Sequence, residues 1–168
     1  FFPEGGQLVE GITSQVAFKA ESKNEGNIQL SGTLYTKEGQ EITSFETLHD
    51  GMGAFEYTPS ALPAIAKVNF QGKQYEFTLP KALPSGYILK VGNNAGAISV
   101  TVSCNAATPQ DTLAVFISHQ GRPHAYQLIH CQANKPQQFT VLSRKLPAGV
   151  LQISLLNRAG NTLCDRFI

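Results

Sequence analysis

The sequence predicts an all-β protein made of two tandem antiparallel β-sandwich domains. Apolar side chains recur at every second position in short runs, glycine-containing turns separate the runs, and helical periodicity is poor throughout the chain. Short strands spaced in this way, without intervening helices, are typical of a sandwich or barrel and not of a parallel α/β sheet.

The first half of the chain shows this alternation repeatedly. Val16, Phe18 and Ala20 share one face of a predicted strand. Further strands are predicted around residues 30–35, 55–58, 68–70 and 75–79, and another run starts at Ile42. The turns at residues 37–40 and 71–73 contain glycine and suit hairpins. Residues 60–66, which Pro59 and Pro63 interrupt, are predicted as a loop or single turn and not as a helix.

The second half repeats the pattern. Strands are predicted around residues 98–104, 113–117, 125–129, 139–141, 150–156 and 162–168. Turn-forming residues at 120–123 and 157–161 separate some of them.

The two halves meet at a break in the pattern. Residues 79–86 contain two prolines and a glycine, which predicts domains at residues 1–82 and 83–168. A domain of this size buries only about 60% of its unfolded surface. We therefore expect each domain to gain stability from neighbouring modules of a longer chain.

Composition excludes several classes of function. Lys plus Arg is 13 and Asp plus Glu is 12, so the chain lacks the clustered positive charge that nucleic acid selects. No apolar run approaches the roughly 18 residues of a membrane-spanning helix. The chain starts at Phe1 without an initiator methionine and ends within a predicted strand. We therefore expect it to be a segment of a longer polypeptide.

Several motifs carry a family resemblance. The chain opens Phe1-Phe2-Pro3-Glu4-Gly5-Gly6, its centre contains Gly51-Met52-Gly53 and Pro59, and Leu-Pro-Ala-Gly149 lies near its end. Together these motifs, spread over most of the chain, resemble the macroglobulin-like modules of large envelope proteins from Bacteroidetes-type bacteria. Those proteins are distantly similar to the alpha-macroglobulins, and some carry a plug-like domain of TonB-dependent receptors.

The resemblance implies immunoglobulin-like or fibronectin-III-like sandwiches. It also implies an extracytoplasmic place, in the periplasm or at the outer membrane, beside adjacent domains of the same longer chain. Protease-trapping alpha-macroglobulins carry a thioester between a cysteine and a glutamine three residues on. Here Ala107, Asn134 and Phe167 occupy that position after the three cysteines, so the resemblance does not carry protease trapping to this segment.

The same motif residues have a physical interpretation. Phe1 and Phe2 can anchor the first strand, and Pro3 suits a strand start or an edge. The Gly5-Gly6 pair permits positive φ angles, and Gly51 with Gly53 predicts a tight turn into the strand of Phe55. A ligand loop at Gly5-Gly6 is the alternative, but a glycine pair alone does not make a phosphate cradle.

Three cysteines, Cys104, Cys131 and Cys164, lie in the second half without Cys-x-x-Cys spacing. We expect buried free thiols that act as small apolar side chains. One disulfide, between Cys104 and Cys131, is the alternative.

The histidines His119, His124 and His130 are the strongest candidates for a metal site. They flank or follow a predicted turn, but the nearest carboxylate in sequence, Asp111, lies at the far end of the preceding strand. A Cys131–His130 nucleophile is disfavoured because neighbours on a strand point to opposite faces. We expect no metal, cofactor or catalytic residue.

Two other residue types bear on function. The carboxylates of the first half, from Glu4 to Glu76, are scattered as expected for solvated strand faces, and glycoside hydrolysis would need a pair at a fixed separation. Tyr57, Tyr75, Tyr87 and Tyr126 could form a sugar-binding platform, although packing in or on the sandwich explains them as well.

We therefore predict a non-catalytic structural or interaction module, a spacer or docking scaffold, within a larger cell-envelope protein. Exposed sheet edges would supply its partner contacts. The partners would be adjacent domains, with other envelope proteins or glycans as further candidates. The alternative is a carbohydrate- or peptide-binding module that captures nutrients at the outer membrane.

Overall fold

The alternating pattern folds into antiparallel sheets in a computed structural model that describes residues 1–94 and 96–168. The predicted all-β class is confirmed. Packing divides the chain into two units, Phe1–Pro84 and Ser85–Ile168. This division falls two residues after the boundary expected from the sequence.

The first unit is a sandwich of a three-stranded and a four-stranded sheet. Its strands are β1 (Phe2–Pro3), β2 (Ser14–Lys19), β3 (Glu21–Ser22), β4 (Gly26–Asn27), β5 (Ser31–Tyr35), β6 (Glu41–Glu46), β7 (Met52–Tyr57), β8 (Ile65–Phe70) and β9 (Lys73–Thr78). The strand orders are β1-β2-β7 and β6-β5-β8-β9, and β3 and β4 form a separate small hairpin.

The core of the first unit lies between its two sheets. Strand β2 alternates strictly between buried and exposed side chains, so that Val16 and Phe18 point inward. They meet Leu34 of β5 and Val68 of β8 from the facing sheet, in one cluster of buried side chains. Buried side chains therefore recur at every second position of β2, as the alternation in the sequence predicts.

The second unit has the same two-layer plan. Its strands are β10 (Tyr87–Asn94), β11 (Ala97–Cys104), β12 (Asp111–His119), β13 (Arg122–Cys131), β14 (Gln137–Leu142), β15 (Gln152–Leu156) and β16 (Thr162–Phe167). The strand orders are β10-β11-β14 and β13-β12-β15-β16. Both orders consist of antiparallel pairs.

The core of the second unit follows from the same alternation. In β12, Leu113, Val115 and Ile117 are buried, and in β11 Val100 and Val102 are buried. These side chains belong to one apolar cluster. The predicted turn after β12 is confirmed, because Gln120 and Gly121 both have positive φ angles, 50° and 75°, as expected for the type I′ turn of a two-residue hairpin.

Some elements differ from the prediction. The first unit has nine strands, more than the sequence predicts, because β1, β3 and β4 are only two residues long and too short to show a period. Residues 60–64 are irregular, as expected, but β8 already begins at Ile65. The one short helical element among the described residues is a 3-10 turn, Ser143–Lys145. No helix in the described ranges is long and apolar enough to cross a membrane.

Candidate interaction surfaces

The opening motif forms a strand and a turn. Phe2 and Pro3 pair with Ala17 and Val16 of β2. The turn that follows is closed by the Gly6 amide, which donates to the Pro3 carbonyl at 3.0 Å. Glu4 is buried, whereas Phe2 is exposed. The motif residues therefore fix the first strand onto the edge of β2.

Gly51 permits the turn between the two sheets of the first unit. Asp50 and Gly51 both have positive φ, 47° and 71°, and the Met52 amide donates to the His49 carbonyl at 2.7 Å. A Cβ atom on Gly51 would lie 2.4 Å from the Ala20 carbonyl oxygen. Position 51 thus requires glycine both for its backbone angle and for space.

Gly53 has a different role from the one predicted. It lies within β7 and not in the turn, directly opposite Phe18 of β2. The ring of Phe18 occupies the space above it and packs edge-on against Phe45 at 5.0 Å between centroids. Phe45 in turn stacks on Phe55 at 5.1 Å. The absence of a side chain at Gly53 therefore lets an aromatic cluster form in the core.

The remaining motif residues lie in connecting segments. Pro59 is buried after β7, and its carbonyl accepts a hydrogen bond from the Gly11 amide at 2.9 Å. Gly149 precedes β15, and a Cβ there would lie 3.0 Å from Nε2 of His119.

The three histidines do not converge. The rings of His119 and His124 lie 6.2 Å apart beside the β12–β13 turn. His130 is six residues further along β13 than His124, which places it about 20 Å away, and its Nδ1 lies 3.0 Å from the Thr112 hydroxyl. In the part of the chain that the structure describes, no three His, Cys, Asp or Glu side chains are grouped as a metal site.

All three cysteines are buried and free. Burial raises the pKa of the Cys131 thiol, and a hydrogen bond with the Cys104 thiol adds to the effect. Burial also raises the pKa of Cys164 from 9.0 to about 11, with a further contribution from the Asp165 carboxylate. Thiols held protonated in this way are poor nucleophiles.

The four candidate tyrosines are dispersed. Tyr57 is a core residue, and burial raises its pKa although backbone groups of Ala64 and Ser60 oppose the shift. Tyr87 is half-buried at the start of β10. Only Tyr75 and Tyr126 are exposed, and they lie in different units. A single sugar platform built from all four is therefore absent.

Tyr126 belongs to an apolar surface on the second unit. Strand β13 is an edge strand, and its buried residues Ile129 and Cys131 alternate with outward-facing ones. Tyr126 and Leu128 point outward and are exposed by 70% and 58%. Tyr126 stacks across the sheet on Phe116 of β12, with centroids 6.0 Å apart. We call Phe116, Tyr126 and Leu128 the β13 face.

Polar groups border the β13 face on one side. Arg158 forms an ion pair with Asp111 at 3.1 Å and also donates to the Thr112 hydroxyl at 3.2 Å. The same hydroxyl contacts His130. The border therefore presents hydrogen-bonding groups beside exposed apolar side chains.

A second apolar surface is a groove in the first unit. Tyr75 and Phe77 of β9 pair with Val68 and Ala66 of β8, and directly paired residues point to the same face. Val68 and Ala66 are buried in the core, at 5% and 0% exposure, yet Tyr75 and Phe77 are 42% and 50% exposed. The core side of β9 is thus left uncovered.

The uncovered strand borders a cavity of about 600 Å³. Phe18, Ile28 and Leu30 line it together with Tyr75 and Phe77. We call this cavity the β9 groove. It exists because the sheet β1-β2-β7 has one strand fewer than the sheet β6-β5-β8-β9 that it faces.

The sequence contained a signal for one of these surfaces. Phe116 has the opposite parity to the buried residues Leu113, Val115 and Ile117, so its outward position could have been inferred. The β9 groove had no such signal, because the apolar residues Tyr75 and Phe77 occupy alternate positions, as they would in a strand whose inner face is buried. Their exposure depends on the width of the facing sheet, which local periodicity does not encode.

Two solved structures are similar to this chain at low sequence identity. No family model matches the chain, and no curated protein matches it. A DUF3823 family protein from Bacteroides ovatus ATCC 8483 is similar at a TM-score of 0.33 and 9% identity, over 92% of this chain and 96% of that one. Another from Parabacteroides merdae ATCC 43184 is similar at 0.34 and 8%, over 95% and 98%. At values this low, neither structure carries an argument about this chain.

Proposed function

We propose that this chain is a non-catalytic interaction module, a spacer or docking scaffold, of a larger cell-envelope protein. The observation that carries the proposal is the β13 face. A ten-residue edge strand displays Tyr126 and Leu128 to solvent beside Phe116. Aromatic side chains on an exposed sheet edge favour contact with another protein surface, because burying them removes apolar area from water.

The family resemblance supports an extracytoplasmic location for this module. Macroglobulin-like modules of Bacteroidetes-type envelope proteins pack beside further domains of one long chain, and the opening motif and Gly51-Met52-Gly53 resemble theirs. Adjacent domains of the same polypeptide are therefore the first expected partners, and other envelope proteins the second. Fractionation of cells that express the parent protein tests the location directly, and recovery in the soluble cytoplasmic fraction would refute it.

Site-specific photocrosslinking tests the interaction role. A benzoylphenylalanine at position 126 of the parent protein is expected to crosslink to one defined partner or neighbouring domain. The same group at Lys90, which is exposed on β10, is the matched control and is expected to give no such product. The proposal fails if position 126 gives no specific product in intact cells.

Carbohydrate binding is the second candidate function, and the polar border of the β13 face favours it. An exposed aromatic ring can stack on one sugar unit of an oligosaccharide, while side chains such as Arg158 and His130, about 13 Å further along the strand, meet the hydroxyls of other units. A glycan array followed by calorimetry tests this candidate. Binding of a defined sugar that Tyr126→Ala abolishes would replace the docking role with glycan capture.

A further inference from the structure

We propose that the β9 groove binds an extended, uncharged polypeptide segment that pairs with β9 as an added strand and inserts alternate apolar side chains between the sheets. This inference rests on the proposed interaction role and assigns to it a second site, in the first unit, with a partner of stated chemistry. It is carried by three independent features of the groove: its free edge, its walls and its charges.

The free edge follows from the hydrogen-bond alternation of β9. The Leu79 amide donates to the Ala64 carbonyl at 2.9 Å, which fixes the phase of the ladder between β8 and β9. In an antiparallel pair, successive residues direct their backbone groups alternately toward and away from the neighbouring strand. The N–H and C=O groups of Gln74, Glu76 and Thr78 therefore point away from β8.

No strand among the described residues pairs with this side of β9, which ends its sheet. All six residues of the strand are exposed. The three outward residues offer donors and acceptors over about five residues, the length of a short added strand. A lipid or small apolar molecule could fill the cavity, but it would leave these backbone groups unused.

The walls specify where the partner's side chains go. An added strand continues the pleat of β9, so every second side chain would lie on the same face as Tyr75 and Phe77. That face lines the cavity, whose other apolar lining residues include Phe18, Ile28 and Leu30. Side chains inserted there would cover the exposed halves of Tyr75 and Phe77, which the narrow sheet leaves open.

The three charged residues that line the groove, Lys19, Glu21 and Glu76, are already in ion pairs. Lys19 pairs with Glu21 on one rim, and Lys67 pairs with Glu76 on the outer side of the four-stranded sheet at 3.0 Å. The side-chain amide of Gln71, in the β8–β9 turn, donates to the carboxylate of Glu25, in the β3–β4 turn, at 2.5 Å. A groove whose rim charges are paired gives no electrostatic gain to a charged ligand, so it favours an uncharged partner.

The proposal is tested by NMR titration of the isotope-labelled full chain. The ligand is an end-capped seven-residue peptide of alternating threonine and valine. We expect amide shifts at Gln74, Glu76 and Thr78 and at least about tenfold slower hydrogen exchange at these three amides. A peptide with aspartate in place of valine is the control and is expected not to bind. Equal binding of both peptides, or no protection of these amides at millimolar valine peptide, overturns the proposal.

Proline variants separate backbone pairing from simple hydrophobic binding. Glu76→Pro removes an N–H that β8 does not use, and Glu76→Ala is the matched control that keeps it. We expect Glu76→Pro to weaken peptide binding at least about tenfold relative to Glu76→Ala. If Glu76→Pro does not fold, Gln74→Pro makes the same comparison with Gln74→Ala. Equal affinity in a folded pair rules out strand addition.

The outcomes are distinguishable from failure of the proposed function. A specific crosslink from position 126 with no peptide binding removes only the β9 groove assignment. Peptide binding at β9 without any crosslink from position 126 refutes the proposed function, which the β13 face carries, and leaves the β9 groove as a binding site for an added strand. Displacement of the peptide by a fatty acid, with equal affinity in Glu76→Pro and Glu76→Ala, would identify an apolar ligand pocket and overturn strand addition.

Discussion

The ring of Phe18 lies directly on Gly53, its cross-strand neighbour, so that two sheets of the first unit close around an aromatic cluster. A Cβ atom at position 53 would come within 2.6 Å of two ring carbons and within 2.3 Å of the Glu46 carbonyl oxygen. No real Cβ is tolerated at such distances, so either the ring or the backbone would have to move. The packing of the core here depends on the absence of a methyl group.

Gly53→Ala is therefore expected to destabilise the first unit by about 1–3 kcal/mol, the usual range for overpacking a core. Urea denaturation followed by circular dichroism measures the change. Ala54→Ser, at the exposed neighbouring position of β7, is the control and is expected to stay within about 0.5 kcal/mol of the parent. Equal stability of Gly53→Ala and the unmutated chain would contradict the position of the Phe18 ring.

Gly51, in the turn before β7, can be compared with Gly39, in the turn between β5 and β6. Both have positive φ, but a Cβ at Gly39 meets nothing within 4 Å, whereas one at Gly51 meets the Ala20 carbonyl oxygen. Gly39→Ala is expected to cost about 1–2 kcal/mol for the left-handed backbone alone. Gly51→Ala is expected to cost clearly more in the same urea denaturation. Equal stability of the two variants would contradict the close approach of the Ala20 carbonyl oxygen to Gly51.

The alternation of β13 predicts opposite results at adjacent positions. Ile129 is buried, at 7% exposure, while Leu128 belongs to the β13 face. Ile129→Ala is expected to cost about 2–5 kcal/mol, and Leu128→Ala less than about 0.5 kcal/mol. Thermal unfolding of both variants checks the register, and the reverse order of stability would show that the strand is placed one residue out of register.

The buried thiols predict loss of stability at alkaline pH. A raised pKa means that Cys164 stays protonated in the folded state while the unfolded thiol ionises near 9.0, so the unfolded state binds fewer protons between that pH and about 11. The free energy of unfolding must fall with rising pH across this window.

The thiols of Cys131 and Cys164 should also resist iodoacetamide at pH 8 until the chain is denatured.

Cys164→Ala is the matched variant for this titration. It is expected to be less stable than the parent at neutral pH, because it loses buried volume, but to show a shallower decline above pH 9. Denaturation at several pH values separates the two effects. A decline of the same steepness in the variant would mean that other groups, such as the tyrosines whose pKa burial also raises, cause the alkaline loss.

The sequence predicted the features that depend on local periodicity, namely which strand residues face inward and where tight turns lie. The inward positions of β2 and β11 and the turn at Gln120-Gly121 could be read directly, because strand parity and positive-φ turns leave short-range signals. Gly53 was assigned to a turn because its contact with Phe18 joins residues 35 positions apart. The β9 groove was missed for the same reason, since sheet width is set by long-range pairing.

Backbone pairing along β9 would be indifferent to sequence, since every residue except proline has the same N–H and C=O groups. Discrimination between one incoming strand and another must then arise from the size and shape of the side chains that fit against Phe18, Ile28 and Leu30. Enlarging or shrinking these three side chains should change which segments are selected, while the free edge keeps the same capacity to pair.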